Sequence, residues 1–257
     1  MGTFLFQDVV FGPIYSRRLG HSLGINLLRG NRKICTFDCV YCECGWTDSN
    51  QTKFISTEEY RTILNQTLSD NIKSHTVIDS ITFAGNGEPT LHHDFHNIIN
   101  ITNELKEKYY PDAQTTVLSN STTLDNPDVF QALTKVNNIM KLDTGSQTTY
   151  QYLNRPNKPV SLEQIVENLV RFNGDLTIQT LLLRGIVDGV RIDNTSVEEI
   201  CLLIEKLLLI KPHTLMLYPI ARDTPAEHIE KLSEDEIRKV ADRIKLKLPA
   251  IKINIYS

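Results

Sequence analysis

The sequence predicts an α/β fold built on a parallel sheet. Strand-like and helix-like segments alternate from about residue 24 to the end of the chain, which is the pattern of consecutive β-α units. The chain has 257 residues, of which 40% are apolar, and this is enough for one domain with its own core. We count about six β-α units, fewer than the eight of a closed (β/α) barrel.

The first elements follow a turn-rich start. Residues 1–23 contain the breakers Gly12 and Gly20, and we expect this segment to be irregular. A first strand is predicted over residues 24–28. The first helix opens at Ser56, because a hydroxyl can cap free N–H groups and the two glutamates that follow suit the helix dipole.

The remaining elements alternate regularly, as apolar patterning and helix caps indicate. Further strands are predicted over residues 78–84, 115–119, 138–143, 176–183, 214–218 and 251–255. Further helices are predicted over residues 95–108, 127–135, 162–172, 195–209 and 233–248.

Three cysteines follow the first predicted strand. Cys35, Cys39 and Cys42 have the spacing C-x3-C-x2-C. Iron–sulfur clusters are held by cysteine thiolates, and a cubane needs one ligand for each iron. Three cysteines therefore bind three irons and leave the fourth without a protein ligand, where chemistry can happen. We interpret the loop as the cradle of an iron–sulfur cluster.

Two other interpretations of these cysteines stay open. Cys44 adds a fourth thiol, and zinc favours four thiolates, although structural zinc sites usually pair two separated knuckles. Cysteine is also often buried as a small apolar residue, which fits poorly beside Asp38 and Glu43. Cys44 itself is either a spare thiol near the cluster or a residue on the access side. Cys201 occupies an apolar helix position and is expected in the core.

Polar residues converge on one face of the predicted sheet, because parallel α/β barrels carry their sites at the C-terminal ends of strands. The turn after the second strand is Gly85-Asn86-Gly87-Glu88-Pro89-Thr90; Ser119 and Asn120 follow the third strand, Asp143 the fourth, Arg184 the fifth, and Tyr218 to Arg222 the sixth.

The cysteine loop and the turn at residues 85–90 together resemble the radical S-adenosylmethionine superfamily. The resemblance implies a partial (β/α)6 TIM-like barrel. It places residues 1–257 in a single domain, with the irregular segment 1–23 packed on the barrel. The implied cofactors are a [4Fe–4S] cluster on the three cysteines and S-adenosylmethionine, which chelates the open iron. One electron then cleaves the sulfonium to a 5′-deoxyadenosyl radical, which abstracts hydrogen from a substrate.

The resemblance also assigns ligand-binding residues. Gly85, Asn86, Gly87 and Glu88 match the region that binds the methionine amino group, and Tyr41 matches the aromatic position beside the adenine. The alternative interpretation is that Tyr41 only packs within the loop.

Ser119 and Asn120 match positions that reach the ribose or carboxylate, although Asn120 is equally a helix-cap candidate. Arg184 either pairs with the carboxylate of S-adenosylmethionine or forms a structural salt bridge. Asp143 ends an apolar strand, where an unpaired carboxylate is costly. Asp143 is a candidate for cofactor binding and, with Arg222, for catalysis.

Charge and histidine content give weaker signals. The net charge of −4 offers no global case for nucleic acid. Arg17, Arg18, Arg29, Arg32 and Lys33 form either a local basic patch or a scattered solvated surface. A metal site at His92, His93 and His96 is disfavoured, because no carboxylate has the right register.

Further motifs are similar to a small group related to wyosine-synthesis radical enzymes, which act on a guanine in tRNA. They include Asn154-Arg155-Pro156 and the stretch from Arg222 to Glu227. The resemblance implies radical chemistry on a tRNA base or nucleotide, which the pair Arg17-Arg18 also favours. No cysteine precedes Cys35, so the second cluster of the archaeal wyosine enzymes has no ligands here. The alternatives are a peptide- or protein-modifying maturase or activase, and a non-enzymatic zinc-binding module.

The expected surroundings are those of a cytoplasmic, soluble protein without a membrane partner. The N-terminus lacks the pattern of a secretion signal, and no apolar stretch is long enough to span a bilayer. Five cysteines, four of them packed together, indicate a reducing compartment rather than disulfides. No flavodoxin-like domain is recognised, so an external one-electron donor of flavodoxin or ferredoxin type is expected.

Overall fold

A computed structural model of the chain describes residues 4–28, 32–48 and 53–256. Within these residues the strands are β1 (Val10–Ser16), β2 (Gly20–Ile25), β3 (Ser80–Phe83), β4 (Gln114–Ser119), β5 (Asn137–Lys141), β6 (Thr177–Val187), β7 (Val190–Asp193), β8 (Thr214–Pro219), β9 (Ile229–Lys231) and β10 (Lys252–Ile255). The helices are α1 (Thr57–Lys73), α2 (Phe95–Tyr109), α3 (Pro127–Leu133), α4 (Gln147–Leu153), α5 (Leu162–Val170), α6 (Val197–Ile210) and α7 (Glu234–Lys247).

The sheet confirms the predicted α/β class. Its strand order is β1-β2-β3-β4-β5-β6-β8-β10, and every pair from β2 onward along this path is parallel. Strands β1 and β10 lie at the two ends of this path, so the sheet is not closed into a barrel in the described part of the chain. Each predicted strand and helix has its counterpart, although the first predicted strand, over residues 24–28, shares only Gly24 and Ile25 with β2. The elements β1, β7, β9 and α4 were not predicted.

The helices form where the sequence supplies caps and an apolar face. Ser56 accepts a hydrogen bond from the backbone N–H of Glu59 at the start of α1, as predicted. Ser233 and Glu236 form a reciprocal capping box at the start of α7. On α2 six residues are buried: Phe95, Ile98, Ile99, Ile101, Thr102 and Leu105.

The expectation of an irregular segment over residues 1–23 is wrong, because β1 and β2 form an antiparallel hairpin there. Gly24 lies under the Phe11 ring, and a Cβ at this glycine would come within 2.1 Å of the ring atom Cε2. The Phe6 and Phe11 rings stack with centroids 3.6 Å apart. The turn-forming residues of this segment predict a loop. Tertiary packing of the two rings stabilises strands there instead.

Three further expectations need correction. Arg184 was expected to follow the fifth predicted strand, over residues 176–183. It lies instead inside the corresponding strand β6, which continues to Val187 and pairs there with β7 and β9. Cys201 is exposed rather than in the core. Lys33 is buried, so it does not belong to a surface patch. Arg29 of the same group lies outside the described residues.

None of the described helices combines the length and the apolar character that crossing a membrane requires.

Candidate functional site

The cysteine loop is fixed by backbone bonds to segments on both of its sides. The Ile34 N–H donates to the Asn86 carbonyl at 3.0 Å, and the Glu88 N–H donates back to the Ile34 carbonyl at 2.9 Å. Farther along the loop, the Asp38 N–H donates to the Arg155 carbonyl at 3.1 Å. The loop is therefore joined to the turn after β3 and to the segment after α4.

The three predicted cluster ligands open onto one cavity of about 720 Å³ inside the curved sheet. Most of the strand-end residues singled out in the sequence line the same cavity. They include Cys35, Cys39, Cys42, Cys44, Gly85, Gly87, Glu88, Ser119, Asn120 and Arg222.

Two buried amides contact the cysteine sulfurs. The Nδ2 atom of Asn120 donates to the Cys35 Sγ at 3.3 Å, and the Nδ2 atom of Asn154 donates to the Cys39 Sγ at 3.5 Å. Amide donors of this kind stabilise sulfur in its thiolate form and are typical around metal-bound thiolates.

A buried ammonium group lies beside the same thiols. The side chain of Lys33 is only 2% exposed, and its Nζ donates to the Gly45 carbonyl at 2.9 Å. Its closest carboxylate contact, with Asp38, is long at 3.5 Å. Burial opposes the charged form, but the thiolates of Cys42 and the other two cysteines more than offset it and raise the pKa of Lys33.

The thiols differ in their proton affinity. Burial raises the pKa of Cys35 to about 12, and burial likewise raises the pKa of Cys39. A hydrogen bond from Cys44 lowers the pKa of Cys42 to about 6, and the same bond, together with burial, raises the pKa of Cys44. Anionic sulfur in so buried a loop needs positive charge beside it.

The turn after β3 requires glycine where it meets the cysteine loop. Gly87 has φ of +142°, and a Cβ there would lie 1.8 Å from the Ile34 carbonyl oxygen. The Glu88 carboxylate accepts from the Thr90 hydroxyl at 2.6 Å and from the Asn120 N–H at 2.7 Å. Burial raises the pKa of Glu88, although these hydrogen bonds oppose the shift. Glu88 thus connects the ends of β3 and β4.

Asn86 differs from its neighbours, because it does not line the cavity. Its side chain accepts from the Phe6 N–H at 2.8 Å and donates to the Phe6 carbonyl at 2.8 Å. The amide is thereby used to hold the N-terminal segment over the turn.

Tyr41 and Asp143 form a buried network behind the cavity wall. The Tyr41 hydroxyl donates to the Asp143 carboxylate, which also accepts from the Asn154 amide at 2.8 Å and from the Leu181 N–H at 2.9 Å. Burial, followed by the charge of Asp143, raises the pKa of Tyr41 well above its usual range. Lys141 donates to the Tyr41 hydroxyl at 2.8 Å. Neither Tyr41 nor Asp143 lines the cavity, whereas Lys141 does.

The two predicted arginines occupy different places. Arg184 is paired with Glu236 and with Glu230, the latter at 2.9 Å, and these carboxylates raise its pKa. It does not line the cavity. Arg222 does line the cavity, and its Nη1 donates to the Glu43 carboxylate at 2.8 Å.

The histidines are engaged in local structure. His92 is buried, accepts from the Asp94 N–H at its Nδ1 and contacts the Ile55 carbonyl at 2.8 Å through its Nε2. Across residues 4–28, 32–48 and 53–256, no three or more His, Cys, Asp or Glu side chains are arranged to hold a single metal ion. A cubane differs from a mononuclear site because each thiolate binds a separate iron.

Sequence reasoning missed three polar residues of this region. Lys33 was grouped with surface cations, and only its place two residues before Cys35 signals otherwise. Asn154 was noted within a motif but received no role. Lys141 is the last residue of the largely buried strand β5, which is a usable signal, because a lone lysine in a buried strand needs a partner.

Comparison with known proteins agrees with this geometry. Residues 33–193 match the family model described as the Radical SAM superfamily. An UPF0026 protein from Synechocystis is 32% identical over 226 residues, which cover 85% of this chain and 77% of that protein. A protein from Brachyspira hyodysenteriae named GTPase Obg is 30% identical over 235 residues, which cover 90% of this chain.

A solved structure has a similar fold. SuiB from Streptococcus suis, bound to S-adenosylmethionine, superposes with a TM-score of 0.63 at 17% identity, over 88% of this chain. The chain spans only 49% of SuiB and 32% of the Brachyspira protein. The match to SuiB supports the fold alone. The activities of these two longer proteins are not assigned to this chain.

Proposed function

The chain belongs to the radical S-adenosylmethionine superfamily, and from this premise we propose that it cleaves S-adenosylmethionine reductively at a [4Fe–4S] cluster held by Cys35, Cys39 and Cys42. Such a cluster, when bound, supplies the electron that turns S-adenosylmethionine into methionine and a 5′-deoxyadenosyl radical for hydrogen abstraction. The observation that carries the proposal is that the three thiols share one cavity with the Gly87-Glu88 turn and Asn120.

The residues around the thiols fit this cluster. Three cysteine thiolates need compensating positive charge and hydrogen-bond donors when they are buried. Lys33 supplies the charge, and the amides of Asn120 and Asn154 supply donors to two of the sulfurs. Lys33 is 2% exposed, and among the described residues its one carboxylate contact is the long one with Asp38 at 3.5 Å. An anionic group at the cysteines therefore best explains its burial.

Contacts with S-adenosylmethionine are assigned to the cavity wall beside the cysteines. Gly85, Gly87 and Glu88 line this wall and would receive the methionine amino group. Ser119 and Asn120 lie next to them and would contact the ribose or carboxylate. Glu88 is already fixed by two hydrogen bonds, so it would bind without reorganising.

The other predicted residues take indirect roles in the proposal. Asn86 fixes the turn, and Tyr41 with Asp143 supports Asn154, which contacts Cys39. Arg184 is left out, since its guanidinium is occupied by two carboxylates away from the cavity.

Arg222 is the predicted catalytic candidate that stays at the cavity. Its pairing with Glu43, the neighbour of Cys42, places it at the edge of the cysteine loop. We assign it to holding the substrate there.

The proposed substrate is a tRNA base or a nucleotide, and a peptide or protein substrate is the alternative. The electron is proposed to come from a flavodoxin or ferredoxin type of donor, and the location is proposed to be cytoplasmic, where thiols stay reduced.

The test is anaerobic reconstitution followed by iron and sulfide analysis and a reductive cleavage assay. We expect wild-type protein to bind four irons per chain and to form 5′-deoxyadenosine, and Cys39→Ala to do neither. Cys201→Ala is the matched control, because Cys201 is exposed on α6, away from the cavity. Zinc in place of iron, with no cleavage by the wild type, would overturn the proposal in favour of the zinc module.

A further inference from the structure

The turn between β1 and β2 contributes to the cavity an arginine, Arg18, whose partners among the described residues are neutral. The guanidinium of Arg18 lies over the Tyr218 ring at 5.1 Å, and its Nη1 donates to the Gln179 Oε1 at 3.4 Å. Among the described residues no carboxylate lies within ion-pair distance of it. Arg18 is half-buried, so its charge is partly removed from water without a counter-charge.

The backbone of Arg18 and the turn that joins the cysteine loop lie at opposite ends of β2. Arg18 belongs to the turn before β2, whereas the Gly87 turn lies at the Ile25 end of that strand, because Ile25 pairs with Phe83 of β3. The Arg18 side chain extends from this turn into the interior, where it reaches Gln179 of β6 and Tyr218 of β8.

The cavity as a whole has an excess of positive charge, although the chain has a net charge of −4. Its described lining has six basic residues and two acidic ones. Glu43 is paired with Arg222, and Glu88 is fixed by hydrogen bonds. Two more of the lining cations are also paired, Lys33 with Asp38 at 3.5 Å and Lys141 with Asp143 at 3.6 Å. The surplus therefore remains at Arg17, Arg18 and Lys231, for which no ion pair is found among the described residues.

The wall between the two ends is polar. Ser22 donates to Thr82 at 2.8 Å, and both line the cavity together with Gln179. A closed barrel fills this space with branched apolar side chains. Hydroxyl and amide groups here indicate a polar substrate that extends along the interior.

We propose that Arg18, positioned by Tyr218 and Gln179, binds a phosphate group of the substrate at the hairpin end of the cavity, where the β1–β2 turn contributes Arg17 and Arg18. The guanidinium fork matches phosphate oxygens. Arg17 also lines the cavity, and two arginines in one cavity suit a dianionic phosphate better than a singly charged carboxylate. This inference rests on the proposed function and narrows its substrate to a molecule with a phosphate, such as a nucleotide.

The test is calorimetric binding to the anaerobically reconstituted protein in the presence of S-adenosylmethionine. The probes are the four nucleoside 5′-monophosphates, the matching nucleosides, inorganic phosphate and succinate. We expect at least one monophosphate to bind 10-fold or more tightly than its nucleoside. Arg18→Gln should weaken that binding at least 10-fold, and Arg18→Lys should weaken it less, because it keeps the charge but not the fork.

The control variant is Arg61→Gln, which removes an exposed arginine on α1 and should leave binding unchanged. Iron content and melting temperature identify any variant that fails to fold, and Arg18→Lys then decides the outcome. Equal binding of monophosphate and nucleoside, tighter binding of succinate, or binding that Arg18 does not affect would overturn the inference. Cleavage of S-adenosylmethionine by the wild type is measured on the same sample, so failure of the proposed function would be seen separately.

Discussion

The two ends of the cavity differ in how completely their polar groups are satisfied within the protein. At the cysteine end, Glu88, Asn120 and Asn154 each make at least two hydrogen bonds to fixed partners. At the hairpin end, the guanidinium of Arg18 has one long hydrogen bond and a ring contact among the described residues. A group fixed in advance suits a resident cofactor, whereas an unneutralised cation suits a ligand that comes and goes.

The largest effect should come from Gly87→Ala at the cysteine end. The new Cβ would lie 1.8 Å from the Ile34 carbonyl oxygen, at a φ that alanine rarely adopts. We expect the cysteine loop to be displaced, at a cost of about 2–4 kcal/mol, and iron binding after reconstitution to fall at least 10-fold. Iron analysis and thermal unfolding measure both effects.

The control for this change is Gly189→Ala, since a Cβ there meets nothing within 4 Å although its φ is also positive. Backbone strain without a clash should lower stability slightly and leave iron binding intact. Equal loss of iron in the two variants would show that strain, not contact with the cysteine loop, governs the effect.

The next effect in size concerns Lys33, the buried positive charge of the cysteine end. Lys33→Met keeps the volume but removes the charge, so one-electron reduction should become less favourable. We expect the midpoint potential of the reconstituted protein to fall by about 59 mV or more, a tenfold change in the one-electron equilibrium. A potentiometric titration followed by EPR measures it.

Lys33→Arg is the matched variant, because it keeps the charge. It should hold a potential closer to that of the wild type than Lys33→Met does. The same midpoint potential in Lys33→Met and in the wild type would show that the charge of Lys33 does not act on a group held by the cysteines. That result would contradict the role proposed for Lys33.

A smaller shift should follow Asn154→Leu. The change removes the amide donor to Cys39 and one of the bonds to Asp143, which keeps Tyr41 and the Leu181 N–H as partners. The potential should fall by less than in Lys33→Met, because an amide dipole carries no net charge. The melting temperature should fall as well, because a hydrogen bond to a charged group contributes about 1.5–3 kcal/mol to stability. Iron content should stay near that of the wild type.

Asn157→Ala is the comparison for that change. Asn157 donates to the Cys35 carbonyl at 2.8 Å and therefore supports the same loop through its backbone rather than through a sulfur. It should lower stability without moving the midpoint potential. Identical potential shifts in the two variants would contradict a direct role of the amide at the sulfur.

The smallest effect is expected for Arg184→Gln, which lies outside both ends of the cavity. Its ion pairs with Glu230 and Glu236 are largely exposed, and such pairs contribute little to stability. Binding of S-adenosylmethionine to the reconstituted protein, measured by calorimetry, should be unchanged. A large loss of affinity would restore Arg184 to the ligand-binding set that the sequence predicts.

Local sequence patterns were sufficient for the order of the alternating strands and helices, although α4, β7 and β9 were not predicted. Caps such as Ser56 and the apolar face of α2 depend on neighbours within a few residues, so the pattern fixes them before any tertiary contact exists. The hairpin β1–β2 was missed for the opposite reason. Its strands depend on the packing of Phe11 over Gly24 and on pairing with β3, which are contacts between distant positions.

By itself, the sequence determined the open α/β fold, the superfamily and the strand ends from which the cavity is built, since spacing and periodicity are local properties. Only the tertiary structure decided which charged groups face that cavity. Lys33 and Arg18 look alike in the sequence as cations near the cysteine loop. Lys33 is buried beside the thiols, whereas Arg18 extends from the β1–β2 turn to Gln179 and Tyr218. Arg184 does not line the cavity, because it pairs with carboxylates that lie 46 and 52 residues farther along the chain. Burial and pairing of charges depend on distant partners, and those are set when the sheet folds.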